Sequence, residues 1–196
     1  VDPIVVSAQI INNLQTIVSR NANLTVNPVV VTIGSIHGGN RDNIISESVE
    51  MLGTVRTFSD SDQKFVYSRI REIVEHTAKS AGATAEALVP FEHYYPVTFN
   101  NEKLTADMLP SLKKAAGEEN VLVVPPETGA EDFAYFAQKV PALYFYIGGL
   151  PKGKDPKTSG PHHTPQFFLD DSGFKTGVKA MWSLVVDFGE ASGKSK

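Results

Sequence analysis

Apolar and polar residues alternate with two different periods in the first half of the chain. Asp2-Pro3 is typical of a helix start, and apolar residues recur at helical spacing from there to about Arg20. β-Branched residues over 29–33 predict a first strand, and alternation over about 48–58 predicts a second. A further helix and strand follow, so the first half predicts the order α-β-β-α-β.

The second helix of this series has clear ends. Ser59 with Asp62 three residues later predicts a capped start, and Gly82 predicts the stop. We expect Phe65, Ile70, Ile73, Val74 and Ala78 to point inward, and residues 84–95 to form the third strand. One more strand before residue 1 would complete a split βαβ sandwich, and without it one sheet edge would stay open. We therefore expect a strand to precede this chain.

The pattern changes after a break at 96–101. Helices are predicted over 104–116 and 130–139, and short strands over 121–124 and 142–147. Asp170 or Asp171 is expected to cap a final helix that carries one apolar face, formed by Phe174, Val178, Met181, Trp182 and Val185. The second half therefore predicts an α/β unit.

Composition excludes several classes of protein. The 196 residues contain no cysteine, which excludes disulfide scaffolds, thiolate nucleophiles and cysteine-based zinc modules. The net charge is −4 and no basic cluster is present, which argues against a nucleic-acid partner. The apolar runs are too short for a transmembrane helix, so we expect no membrane partner and a soluble chain. Nothing in the chain predicts its compartment.

Histidines are the main candidates for chemistry. We expect His76 to be a solvated surface residue and His93 a structural residue of a strand, whereas His37 beside Gly38-Gly39 could line a site. His162-His163-Thr164-Pro165 follows a long polar loop, so it is either a turn or a corner that holds a metal ligand. A catalytic zinc needs three protein ligands, and this chain has no His-Glu-x-x-His or His-x-Asp pattern, so a complete metal site is not expected.

Two other groups of residues allow both structural and functional interpretations. In Thr128-Gly129-Ala130-Glu131-Asp132-Phe133, small residues permit close backbone approach to a ligand, and two carboxylates stand at a predicted helix start. Those carboxylates could equally be simple partners of the helix dipole. Arg56 could form a surface salt bridge or recognise a substrate carboxylate.

Six segments, taken in order, resemble the C-terminal half of a metallo-amidohydrolase. The family includes hippurate hydrolase, auxin-conjugate hydrolases and N-acyl-amino-acid amidohydrolases. The segments are Val1-Asp2-Pro3, the stretch 14–20, Gly38-Gly39 with Asn43-Ile44-Ile45, Gly53-Thr54-Val55-Arg56, Gly129-Ala130-Glu131-Asp132-Phe133, and His163-Thr164-Pro165 with Phe167.

This resemblance implies an α/β fold with an α+β lid. Residues 1–96 would be a lid and dimerisation domain, a split βαβ ferredoxin-like sandwich lacking its first strand. Residues 97–196 would be the C-terminal part of a zinc-peptidase-like α/β catalytic domain. The lid implies a homodimer, and the absent N-terminal catalytic half would be a further partner. Ser46 stands where the family usually has proline.

The resemblance also implies roles for particular residues. His163 would be a metal ligand, while Asn43 and Arg56 would bind the scissile carbonyl and the substrate carboxylate in a neighbouring subunit's active site. Further positions lining or supporting the site would be Gly129, Ala130, Glu131 and Asp132. The cofactor would be two divalent ions, zinc or manganese, with most ligands outside this chain.

The function implied is hydrolysis. The chain would be a fragment of a di-metal amidohydrolase that cleaves the amide bond of N-acyl amino acids or related small amides with metal-activated water, and it would be inactive alone. The alternative from the sequence is a non-catalytic dimerisation or ligand-binding module.

Overall fold

The computed structural model describes residues 1–91 and 94–193. The chain divides into two compact units. The first, unit 1, comprises Val1–Val97 together with Glu127–Asp132, and the second, unit 2, comprises Thr98–Pro126 and the chain from Phe133 onward. Within the described residues, no helix is both long and apolar enough to cross a membrane.

Unit 1 places two helices against an antiparallel ribbon. Helix α1 (Pro3–Thr16) continues into a π-helical turn (Ile17–Asn21), strands β1 (Val30–Gly38) and β2 (Val49–Arg56) form the ribbon, and helix α2 (Asp60–Ser80) follows. The ribbon register pairs Val31 with Val55 and shifts by one residue at Gly34. The buried core residues come from α1, its π turn, β1 with the residue before it, and α2: Val6, Ile10, Leu14, Ile17, Val29, Val31, Val66, Ile70, Val74 and Ala78.

The ends of these helices follow from local chemistry. Asp2 Oδ1 accepts a hydrogen bond from the Ile4 amide at 2.9 Å, which caps α1. Ser59 Oγ accepts from the Asp62 amide at 3.0 Å, so the predicted cap of α2 is confirmed. Gly82 has φ +73°, the left-handed conformation in which glycine commonly ends a helix.

The expected inward face of α2 was partly wrong. Val66 is fully buried, whereas the neighbouring Phe65 is 40% exposed. Residues Ile70, Val74 and Ala78 are buried as expected, and Val66 continues their series at a spacing of four. The correct face is therefore the one that begins at Val66.

The third predicted strand is not a strand in the described residues. Residues 83–90 instead form no helix or strand, with Ala83, Ala85, Ala87 and Val89 packed on the core. The alternation that predicted a strand is present, but no ladder forms beside it in the described residues. The predicted interval 84–95 also includes Glu92 and His93, which lie outside the described residues, as does the structural role expected for His93.

Unit 2 is built mainly from helices. Helix α3 (Glu102–Ala116) packs on helix α5 (Phe174–Gly193), with the five-residue helix α4 (Phe133–Ala137) between them in sequence. Two single 3₁₀ turns are also present. Glu118–Asn120 precedes the loop that begins at Val121, and Asp171–Gly173 precedes α5. Asp170 Oδ1 accepts from the Ser172 amide at 2.9 Å, which confirms a cap at the predicted place.

Two predicted strands and one helix of unit 2 differ from the structure. Residues 121–124 and 142–147 form no strand in the described chain, and the helix predicted over 130–139 is confined to α4. A strand requires a neighbouring strand that hydrogen-bonds to its backbone. Here a side chain bonds to the Tyr144 backbone: Asn100 Oδ1 accepts from the Tyr144 amide at 2.6 Å, and Asn100 Nδ2 donates to the Tyr144 carbonyl at 2.9 Å. The apolar pattern of these segments alone could not show whether a neighbouring strand exists.

The apolar face predicted for the last helix is exposed. The buried residues of α5 are two small ones, Gly177 and Ala180, whereas its large apolar residues are exposed. The exposed set is Phe174, Val178, Met181, Trp182, Val185 and Phe188, between 51% and 72% exposed.

Candidate functional site

The loop between the two strands carries the first predicted site residue. Gly39, just after β1, has φ +80°, and a side chain there would also meet Ile4 Cδ1 at 3.2 Å. Asn43 is exposed in this loop. Ser46, three residues later, has a buried Oγ with no hydrogen-bond partner among the described residues. His37 is exposed at the end of β1, opposite Glu50 in the register.

Arg56 is the last residue of β2 and makes a long-range contact. Its Nη1 donates a hydrogen bond to the carbonyl oxygen of Thr128 at 2.6 Å, across 72 residues of sequence. Both residues belong to unit 1. The structure therefore brings Arg56 to the segment that holds Gly129 and Ala130 in the same chain.

The carboxylates of that segment lie just before a helix and not in its first turn. Glu131 is half-buried, Asp132 is exposed, and α4 begins at the next residue, Phe133. Gly129 and Ala130 are both exposed. The segment presents backbone and carboxylate oxygens at the surface of unit 1, which is compatible with lining a binding site.

The histidine pair lies in a turn of unit 2 with an uncommon backbone conformation. His163 has φ +64°, in the left-handed region that residues other than glycine rarely adopt. The turn is closed by a hydrogen bond from Thr164 Oγ1 to the Pro161 carbonyl at 2.8 Å. Both histidines are exposed, and His162 packs edge-on against Phe167 (ring centroids 4.9 Å apart) and against His163 (6.4 Å). His162 therefore contacts two rings, whereas His163 contacts the His162 ring and is otherwise exposed.

The remaining described histidine is consistent with a surface residue. His76 is exposed on α2 and borders a shallow cavity of about 260 Å³ near Asn13 and Thr77. In the same unit, burial raises the pKa of the Tyr67 hydroxyl, Tyr94 raises it further, and Arg71 lowers it. These groups lie on α2 and the segment after it, and no sequence motif places them in a site.

The donor side chains of the described residues do not cluster. Among the described residues, no group of three or more His, Asp or Glu side chains could hold a metal ion. Zinc sites use at least three protein ligands, so the described residues do not form a zinc centre by themselves. The assignment of His163 as a metal ligand stays a prediction.

Sequence reasoning missed the Thr128 carbonyl as the partner of Arg56. A backbone acceptor carries no side-chain signature, and 72 residues separate the two positions. The same holds for the buried Ser46 hydroxyl, whose environment depends on packing around the loop. No sequence signal could have revealed either feature.

Comparison with known proteins places this chain in a family. Residues 8–187 match the model of peptidase family M20/M25/M40. Thermostable carboxypeptidase 2 of Saccharolobus solfataricus is 34% identical over 188 residues, which cover 96% of this chain and 46% of that protein. N-acetyldiaminopimelate deacetylase of Streptococcus thermophilus is 35% identical over 150 residues, covering 75% of this chain and 38% of that protein.

A solved structure gives the same result for the fold. The YXEP protein of Bacillus subtilis, described as a dinuclear metal binding peptidase from the M20 family, superposes with a TM-score of 0.65 at 27% identity, covering 95% of this chain and 46% of that chain. This chain thus spans about half the length of the relatives it matches. The resemblance drawn from the sequence is confirmed, and so is the expectation of a family of metal-dependent hydrolases. The chain belongs to peptidase family M20/M25/M40.

Proposed function

We propose that this chain is part of a di-metal amidohydrolase that cleaves the amide bond of N-acyl amino acids. The observation that carries the proposal is the family match over residues 8–187, together with relatives that are named a carboxypeptidase and a deacetylase. Both of those activities cleave an amide bond beside an amino acid. A non-catalytic binding module remains the alternative outcome of the tests below.

Each predicted site residue has a chemical role in this proposal. Arg56 is exposed and has N–H groups left beyond the one donated to Thr128, so it can pair with a substrate carboxylate. Asn43 can donate its side-chain amide to the carbonyl of the scissile bond. The Gly129-Ala130 backbone would line the substrate, and Glu131 and Asp132 would support the metal ligands through hydrogen bonds.

His163 would hold a divalent ion, as zinc or manganese, through its exposed imidazole. When bound, the metal pair would supply an activated water for attack on the amide carbonyl. The other ligands would come from outside this chain, since the described residues offer no closed donor set. We therefore propose that the chain alone is inactive.

The domain assignment is part of the same proposal. Unit 1, with two helices on one side of an antiparallel ribbon, has the composition of a split βαβ lid that lacks one strand. Unit 2 would be the returning part of the catalytic domain. We also propose a homodimer through the lid, which sedimentation velocity would detect as twice the mass of the monomer.

The exposed apolar surface of unit 2 supports the need for a complementary half. Besides the large residues of α5, the loop side chains Leu122, Val123 and Val124 are 77%, 91% and 59% exposed. Large apolar side chains exposed in this number on one unit are typical of an interaction site. The relatives are more than twice as long as the aligned segment, and we propose that a corresponding further half covers these side chains.

The function is tested by metal content and hydrolysis. The substrates would be N-acetyl and N-benzoyl amino acids, and the protein would be the longest form that its coding sequence specifies. His163→Ala should lose bound zinc and activity, whereas the matched control His162→Ala should keep most of both. Unchanged zinc occupancy in His163→Ala would refute the ligand assignment, and hydrolysis by the chain alone would refute the proposed inactivity.

The surface is tested with Val123→Asp and Trp182→Glu. Both side chains are already exposed, so the circular dichroism of the chain should not change. Assembly with the complementary half should fail. If either variant unfolds the chain, the side chain is packed within it and the surface is not free.

A further inference from the structure

The end of β2 and the segment 127–132 are joined by one charge-assisted hydrogen bond. Arg56 Nη1 lies 2.6 Å from the Thr128 carbonyl oxygen, a short distance for an N–H donor. Thr128 is half-buried and Arg56 is exposed, and the hydrogen bond between them lies at the surface. The contact therefore anchors a backbone position and leaves the charged group accessible.

The segment 127–132 belongs with unit 1, although the chain on both sides of it belongs to unit 2. The contact with Arg56 is one interaction that accounts for this grouping. Gly129, which follows the anchored carbonyl, has no side chain that could hold the segment by packing. A polar anchor at Thr128 thus fixes the position from which Gly129 to Asp132 extend.

Arginine is suited to act on two groups at once. Its guanidinium carries five N–H donors in one plane, and a single carbonyl uses one of them. The remaining edge can form two parallel hydrogen bonds with a carboxylate. Because the fork is rigid, fixing Nη1 on the Thr128 carbonyl also fixes the orientation of that edge.

We infer that Arg56 is a positioning residue that holds segment 127–132 of its own chain against the end of β2 through the Thr128 carbonyl. The consequence for recognition, which rests on the proposed function, is that the same guanidinium orients a substrate carboxylate relative to the Gly129-Ala130 backbone. Carboxylate binding and the order of the acid-bearing segment are then coupled within one chain.

Nuclear magnetic resonance on the full chain, without metal or substrate, tests the anchor. In the natural sequence we expect backbone order parameters near 0.85 for Gly129–Asp132, about the value of rigid backbone. Arg56→Ala should lower them below about 0.6, the flexible range. The ¹³C shift of the Thr128 carbonyl should move as its hydrogen bond is lost.

Two further variants make the test specific. Arg56→Lys keeps one donor and should restore part of both signals, whereas Arg20→Ala, which removes an exposed arginine elsewhere in unit 1, should change neither. Unchanged order parameters and carbonyl shift in Arg56→Ala would overturn the inference. Hydrolysis is measured separately, on the longest form that the coding sequence specifies. Loss of the signals in this chain with normal hydrolysis by the longer Arg56→Ala protein would refute only the function assigned to Arg56, and loss of hydrolysis with unchanged signals would refute only the anchor.

Discussion

Two glycines of the ribbon differ in the space available for a side chain, so alanine substitutions there should have opposite effects on stability. A Cβ added at Gly53 would lie 2.5 Å from the Thr32 carbonyl oxygen and 3.1 Å from Ile33 Cδ1. At Gly34, on the facing strand, the nearest atom would be the Leu52 carbonyl oxygen at 3.9 Å, an ordinary contact. Neither glycine has a left-handed φ, so the two sites differ in space and not in backbone conformation.

The magnitudes follow from this difference in space. Alanine at Gly34 should stabilise the folded state by about 0.5 kcal/mol, because it restricts the unfolded chain without strain. Alanine at Gly53 sits about 0.9 Å inside ordinary contact with a backbone oxygen, which cannot rotate away. Backbone displacement of that kind costs about 1–3 kcal/mol, so Gly53→Ala should be destabilising by about 1–2 kcal/mol after the entropic gain.

Hydrogen exchange of the ladder amides measures both effects in the ribbon itself. The amides of β1 and β2 should exchange about tenfold faster in Gly53→Ala, since 1.4 kcal/mol corresponds to about a factor of ten. In Gly34→Ala they should exchange slightly more slowly than in the natural sequence. Equal exchange in the two variants would refute the close approach, and with it the strand position that carries Arg56.

Three other predictions concern single side chains. His163→Gly should be about 1 kcal/mol more stable than His163→Ala by urea unfolding, because both lose the imidazole and only glycine relieves the left-handed φ of +64°. Burial raises the pKa of Tyr67 above the ordinary tyrosine value of 10.0, so the unfolded chain releases this proton at a lower pH than the folded chain. The free energy of unfolding should therefore fall as the pH rises above 10.0, and Tyr67→Phe should reduce this fall. Ser46→Ala should stabilise by about 0.5–1 kcal/mol, because it removes a buried hydroxyl that has no partner among the described residues.

Each of these has a result that contradicts it. Equal stability of the two His163 variants would mean that the turn stores no strain. A pH profile of Tyr67→Phe that superimposes on the natural one would mean that Tyr67 does not titrate differently in the two states. Ser48→Ala, at an exposed serine two residues along, is the control for Ser46→Ala, and equal effects would show that burial of the Ser46 hydroxyl is not the cause.

Local signals in the sequence predicted the helices of unit 1 correctly because local interactions form them. The Asp2 and Ser59 caps and the Gly82 stop each depend on residues within a few positions of one another. The first two strands were also predicted, and they pair with each other across the connecting residues 39–48. These features need no information from distant parts of the chain.

Features that depend on distant neighbours could not be predicted. Residues 121–124 carry a strand pattern, yet in the structure Val123 is 91% exposed. Side-chain preference for a pleated surface says nothing about whether a partner strand is present. The Arg56 contact with Thr128 depends in the same way on the path of the chain over 72 residues. The sequence could suggest Arg56 as a residue that binds a carboxylate, but it could not predict the Thr128 carbonyl as the partner of Arg56.

The two units differ in how many of their large apolar side chains they bury. Unit 1 buries aliphatic residues from both helices and β1 in one cluster, and even its unpaired segment 83–90 packs alternate residues on that core. In unit 2, α5 buries small residues and exposes its large ones, so little apolar area is removed from water between α3 and α5. Because hydrophobic stabilisation scales with that area, unit 1 should be the more stable when the chain is alone. A complementary polypeptide would therefore contribute most of its stabilisation to unit 2, the unit that carries His163.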